Sequence, residues 1–127
     1  MHTYKKGFRA EHELMDMLSS LGYAVLRAPK SGSDTIDMIA CKNTAYGPKL
    51  FVFECKFWAN TVRIDERQMN SLIDFSQKAG ATPIVAIKEA NEGWKFLKAE
   101  DVRDNKGVAS KELLANNSFS VEFFGSY

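Results

Sequence analysis

At 127 residues the chain suits one domain spanning residues 1–127, long enough to bury a core and short for two. Its 45% hydrophobic and 26% charged residues are those of an ordinary globular protein rather than a disordered one, and no apolar stretch approaches the ~20 residues of a membrane span. The net charge of +1 argues against a strongly basic nucleic-acid binder.

In chain order, Leu14, Leu18 and Leu21 recur at helical spacing, which predicts a helix over residues 6–21 that stops at Gly22. The first residues carry charge with no apolar run behind it, unlike a signal peptide, so a soluble cytoplasmic protein is expected. Residues 23–27 read as a strand, 29–34 as a loop and 35–41 as a second strand. A turn over 43–48 leads to a third strand over 50–57, which closes in Glu54-Cys55-Lys56.

Asp65 is placed to cap a second helix with Met69, Leu72, Ile73 and Ser76 on its buried stripe, ended by Gly80. Residues 83–88 are almost wholly apolar and predict a central strand, and 94–97 a fifth. A helical turn over 110–115 and a last strand over 119–124 follow from weaker patterns. The fold class expected is α/β, a central mixed five-stranded sheet flanked by helices. Cys41 and Cys55 lie in apolar runs without metal-ligand spacing and read as buried thiols.

Three acids stand among apolar neighbours. Glu11 precedes Leu14 by three positions and Leu18 by seven, so it shares their inward stripe, whereas Glu13 falls on a polar face. Asp37 sits between Ile36 and Met38 inside a strand, against strand propensity, and such local conflicts gather at functional sites. Glu54 and Lys56 share one face of the third strand because side chains alternate. Charge ending an apolar strand needs a partner. Asp37 and Glu54 on adjacent strands suit a hard divalent cation, with Glu11 completing the metal site or fixing its water shell and Lys56 orienting a water or neutralising a transition state.

Each element also has a plainer reading. Glu11 could be a salt-bridged residue, Asp37 could pair structurally with Arg27 or Lys56, and a Glu-x-Lys triplet alone carries little. Asp104-Asn105-Lys106 resembles one yet sits in a Gly-containing turn and reads as surface. The first half supports the chemical reading: residues 1–56 hold eight Lys/Arg against six Asp/Glu, three of those acids being the candidate set.

The order helix-Glu, strand-Asp, strand-Glu-x-Lys resembles the PD-(D/E)XK nucleases, and the flanking motifs are similar to those of the archaeal-type Holliday junction resolvases (Hjc/Hje). Lys6-Gly7-Phe8-Arg9-Ala10-Glu11-His12-Glu13-Leu14 matches their opening pattern. The stretch from Gly22 to Ser33, with Arg27-Ala28-Pro29 and Ser31-Gly32-Ser33, matches their next, and Asp37-Met38-Ile39-Ala40 and Phe53-Glu54-Cys55-Lys56 follow in order. Gln68, residues 72–75, residues 83–88 and Gly93-Trp94-Lys95-Phe96 extend the likeness over roughly residues 5–97. His12 stands where the family has Arg, Ile36 where it has Pro before the Asp, and the segment from Ser33 to Asp37 is short.

The resemblance implies a restriction-endonuclease-like fold and a Mg²⁺-dependent endonuclease, with Mn²⁺ substituting, that makes paired symmetric nicks in four-way DNA. Glu11, Asp37, Glu54, Lys56 and Ser31 would be catalytic, and Asp37, Glu54 and Glu11 would be metal ligands. Lys5, Lys6, Arg9, Arg27, Lys30, Ser31, Ser33 and Gln68 would contact DNA, and attack in line would leave 5′-phosphate and 3′-hydroxyl ends. A homodimer is implied, for which the aromatic residues of 119–124 and Phe57-Trp58 offer apolar surface. Alternatives are a PD-(D/E)XK endonuclease acting on flap, mismatched or restriction-type DNA, and a non-catalytic junction binder.

Overall fold

The structure is a computed structural model that describes residues 3–29 and 36–127, with side chains described from Arg9 onward. Helix α1 (Thr3–Ser20) leads into β1 (Ala24–Arg27), β2 (Met38–Thr44) and β3 (Gly47–Phe57). After β4 (Val62–Arg63) come α2 (Glu66–Ala79), β5 (Thr82–Glu89) and β6 (Gly93–Lys98). The chain ends with α3 (Ala99–Asp104), β7 (Val108–Ala109), α4 (Lys111–Asn117) and a 3₁₀ helix (Val121–Ser126).

The main sheet has the order β1-β2-β3-β5-β6. Its neighbours are antiparallel except β3 and β5, which run parallel. A parallel pair needs a crossover, and α2 supplies it. The mixed five-stranded sheet expected from the sequence is therefore present. The short β4 and β7 pair separately, and these two strands and α3 had no clear sequence signal.

Alternation along β3 builds two cores. Phe51 and Phe53 face α1 with Leu14, Leu18, Met38, Ile84 and Phe96. Val52 faces the other way with Met69, Leu72, Val85, Ile87 and Leu97. Glu54 and Lys56 continue the Val52 side, which α2 covers.

The boundaries of α2 follow its local signals. The Asp65 side chain accepts the Gln68 N–H at 2.7 Å, and Gly80 ends the helix at φ 69°, a left-handed conformation glycine adopts without cost. Asp65→Ala should lower stability by about 1 kcal/mol. Urea unfolding should show this as a lower midpoint with an unchanged slope; an unaltered midpoint would mean that the cap contributes nothing.

Two expectations fail. Neither cysteine is fully buried: Cys55 is half-buried, and Cys41 is exposed because α2 lies over β3 and β5 and leaves β1 and β2 uncovered on that side, where Leu26 is 73% exposed. Residues 119–124 are not a strand. Phe119 makes a single antiparallel bridge with Phe96, after which the chain turns into the 3₁₀ helix. That turn drops Phe124 into the α1-side core, with ring centroids 5.0 Å from Phe51 and Phe96 and 5.6 Å from Phe53. The buried Tyr23 hydroxyl donates to the Phe124 carbonyl at 2.7 Å. Packing on six aromatic neighbours outweighs the strand-like alternation. Among the described residues no helix is long and apolar enough to cross a membrane.

Candidate active site

The site forms where β2 begins and β3 ends. Met38 pairs with Phe53, so the next position brings Asp37 abreast of Glu54. Asp37 lies just before β2 rather than inside a strand, and its backbone is pinned from both sides. Its N–H donates to the Phe53 carbonyl at 3.0 Å, and its carbonyl accepts the Ala28 N–H at 2.9 Å. Its Oδ2 accepts the Cys55 N–H at 2.6 Å, so a side-chain oxygen does the work of a ladder carbonyl. That bond holds the carboxylate against the Glu54–Cys55 peptide.

Asp37 is 2% exposed and Glu54 7%, in a protein where buried carboxylates are few. Lys56 Nζ lies 3.7 Å from Glu54 Oε2, an ion pair longer than a hydrogen bond. The lysine side chain is 28% exposed and so reaches the surface from the same face. Two buried carboxylates beside a lysine at a strand end can hold a cation and meet a phosphate together.

Glu11 is also buried, but its Oε1 takes Arg27 Nε at 2.7 Å, on the α1 side of the sheet. The ion-pair alternative read from the sequence for an inward Glu therefore applies to Glu11, with Arg27 as the partner that had been considered for Asp37. Among the described residues, no three His, Cys, Asp or Glu side chains assemble as a metal cluster. A signal for the pair was present: Arg27 alternates with Val25 on the side of β1 that faces α1, and an inward base there needs an acid. The Cys55 backbone N–H, which orients Asp37, had none.

The donor set fits a hard divalent ion, since magnesium takes one or two carboxylates with water and phosphate oxygens, and Asp37 and Glu54 are such a pair. The sequence profile described as archaeal Holliday junction resolvase (Hjc) matches residues 2–122. The chain belongs to this family.

Resolvase-family relatives agree in extent. The crossover junction endodeoxyribonuclease Hjc of Methanocaldococcus jannaschii is 36% identical over 88 residues, 68% of this chain and 62% of that protein. The chain thus matches somewhat under two thirds of that relative's length. The crossover junction endodeoxyribonuclease Hje of Saccharolobus solfataricus is 36% identical over 107 residues, 76% of each chain. The crystal structure of Archaeoglobus fulgidus Hjc, a Holliday junction resolvase, superposes with a TM-score of 0.78 over 92% of this chain and 98% of that one, at 19% identity. The restriction-endonuclease-like fold follows from that superposition.

Arg9 is exposed on α1. Gln68, in the first turn of α2, is half-buried and shares a face with the buried Leu72, so it is directed toward the sheet face that carries Glu54. Lys30, Ser31 and Ser33 lie outside the described residues, as do the side chains of Lys5 and Lys6. Glu13 is exposed as expected and takes Lys88 at 3.3 Å. The Asp104-Asn105-Lys106 triplet is exposed where α3 ends, with Lys106 at φ 61°.

Proposed function

We propose that this chain is a structure-selective endonuclease that hydrolyses phosphodiester bonds in four-way DNA junctions, nicking symmetry-related strands in pairs. The observation that carries the proposal is the Asp37 carboxylate fastened to the Glu54–Cys55 peptide with Lys56 beside it, in a member of the resolvase family. Asp37 and Glu54 would hold Mg²⁺, or Mn²⁺ in its place. When bound, the ion would lower the pKa of a water ligand and offset charge on the leaving oxygen.

The protein's own groups supply the rest. Cys55 N–H fixes the Asp37 rotamer, so the carboxylate is pre-set rather than ordered on binding. Lys56 orients the attacking water or meets the charge developing on phosphorus. Arg27, 22% exposed and steadied by Glu11, serves as a phosphate contact at the same sheet edge, and Glu11 acts by positioning it. Arg9, Lys5, Lys6 and Lys30 add backbone contacts, Ser31 and Ser33 engage the scissile strand, and Gln68 supports the site from α2.

A twofold homodimer would match the twofold symmetry of the junction, so paired nicks follow from geometry rather than base readout. One assay decides between substrates. Four-way, flap, mismatched and plain duplex DNA are incubated with Mg²⁺, Mn²⁺ or EDTA, and sedentrimetric mass is taken by analytical ultracentrifugation. Paired nicks confined to the junction, absent in EDTA, by a protein of twice the chain mass are expected. Preferential cutting of flap or duplex would replace the substrate, and full cutting in EDTA would reject the metal.

A further inference from the structure

Beyond the catalytic row, the same sheet face carries a second set of groups without an assigned role. Trp58 follows β3 and extends its pairing, its N–H donating to the Lys88 carbonyl at 2.9 Å. By strand alternation Glu54, Lys56 and Trp58 lie in line, and Lys56 and Trp58 are separated by roughly 7 Å along the chain. Glu89 and Lys95 stand beside them on β5 and β6. A pocket of about 200 Å³ opens there, walled by Trp58, Glu89, Lys95, Lys111, Leu114 and Ala115.

The walls differ in chemistry. Trp58 is half-buried against the α2-side core and leaves part of its ring accessible. Leu114 and Ala115 make the opposite wall apolar. Lys95 Nζ lies 2.9 Å from Glu89 Oε1, and Lys111 is exposed at the start of α4. The Lys95 ammonium beside it holds the Glu89 carboxyl below its ordinary range, so both members stay charged at neutral pH. Glu92 also faces Lys95, so Lys95 is held among carboxylates and Lys111 is the cation left to meet a ligand at the rim.

An aromatic face between apolar and cationic groups suits a nucleotide, whose base stacks while its phosphate meets a lysine. We propose that this pocket is a nucleotide subsite that receives an unstacked base of the DNA next to the phosphate held by Asp37, Glu54 and Lys56. The proposal rests on the nuclease function above and adds to it a requirement for a base outside the duplex stack. Trp58 supplies the stacking face and Lys111 the phosphate contact, while Glu89 keeps Lys95 against the pocket wall. Intact duplex keeps its bases paired and cannot fill the pocket, so the subsite favours branched DNA over linear DNA.

Trp58 and Trp94 are the two tryptophans of the chain, and Trp94 is buried in the α1-side core with no hydrogen-bond partner for its Nε1 among the described residues. Trp94→Phe therefore breaks no side-chain hydrogen bond and leaves Trp58 as the sole reporter. In that background, titration with a four-way junction in EDTA should quench Trp58 emission, and duplex of equal length should not. Trp58→Phe should keep junction affinity within about twofold, whereas Trp58→Leu, which preserves apolar packing without a ring, should lose about tenfold. Lys111→Gln should lower the salt dependence of log affinity by about one unit.

Unchanged emission on saturation with the junction, or equal affinity of the Leu and Phe variants, would overturn the subsite. A single-stranded oligonucleotide titrated in parallel separates this from the function proposed above. Quenching by the single strand in a protein that shows no junction preference supports the subsite and rejects the substrate.

Discussion

Asp37→Asn should reduce junction cleavage in Mg²⁺ by about a thousandfold or more, with junction binding in EDTA intact. The substitution is nearly isosteric, and the amide oxygen can still accept the Cys55 N–H that now meets Asp37 Oδ2 at 2.6 Å. The backbone bonds to Phe53 and Ala28 do not involve the side chain and persist. What disappears is one negative charge of the pair with Glu54, and with it the affinity for a hard cation. Metal-ion stabilisation is worth several kcal/mol, and ~1.4 kcal/mol is tenfold in rate, so a loss of about 4 kcal/mol gives the thousandfold. Single-turnover cleavage of a labelled four-way junction measures the first quantity and fluorescence anisotropy the second. Cleavage within tenfold of the unaltered protein would remove Asp37 from the site, and parallel loss of binding would make its role structural.

Phe124→Ala should be the most destabilising single change considered, costing about 3–5 kcal/mol. The residue is fully buried, and its ring meets Tyr23, Phe51, Phe53, Phe96, Phe119 and Phe123 at centroid distances from 5.0 to 6.3 Å. Removing it leaves a cavity whose lining cannot collapse easily, because three of those rings sit on β3 and β6. For a domain of this size the melting temperature should fall by about 10–15 °C. Thermal unfolding followed by circular dichroism checks this, and a fall of less than 3 °C would contradict the packing. The loss should be independent of protein concentration, since Phe124 packs within its own chain. A segment seated on a partner copy would instead make the loss concentration-dependent.

The two variants address different kinds of legibility. Asp37 stands out in the sequence because an acid between Ile36 and Met38 contradicts its local environment. Glu54 and Lys56 stand out likewise, because alternation on a strand places them on one face. The helix α2 is readable at both ends, since Asp65 and Gly80 act on groups within a few residues of themselves. Phe124 is different. Phe119, Val121 and Phe123 alternate as a strand would, and nothing within the segment reports that Tyr23, Phe51 and Phe96 wait to receive the next ring. Cys41 fails for the same reason, because its exposure depends on which strands α2 covers.

By itself the sequence determined the five strands of the main sheet, the first two helices, the family likeness and the acids out of place among apolar neighbours, because these rest on periods of two and 3.6 residues and on charges out of keeping with their surroundings. The tertiary structure alone decided that Glu11 closes on Arg27, that Asp37 is steadied by the Cys55 N–H, that Phe124 belongs to the core, and that Trp58 shares a pocket with Lys95 and Lys111. These are contacts between groups separated by 16 residues for Glu11 and Arg27 and by 101 for Tyr23 and Phe124. No local period encodes such a separation; only the path of the backbone through the sheet brings those groups within reach.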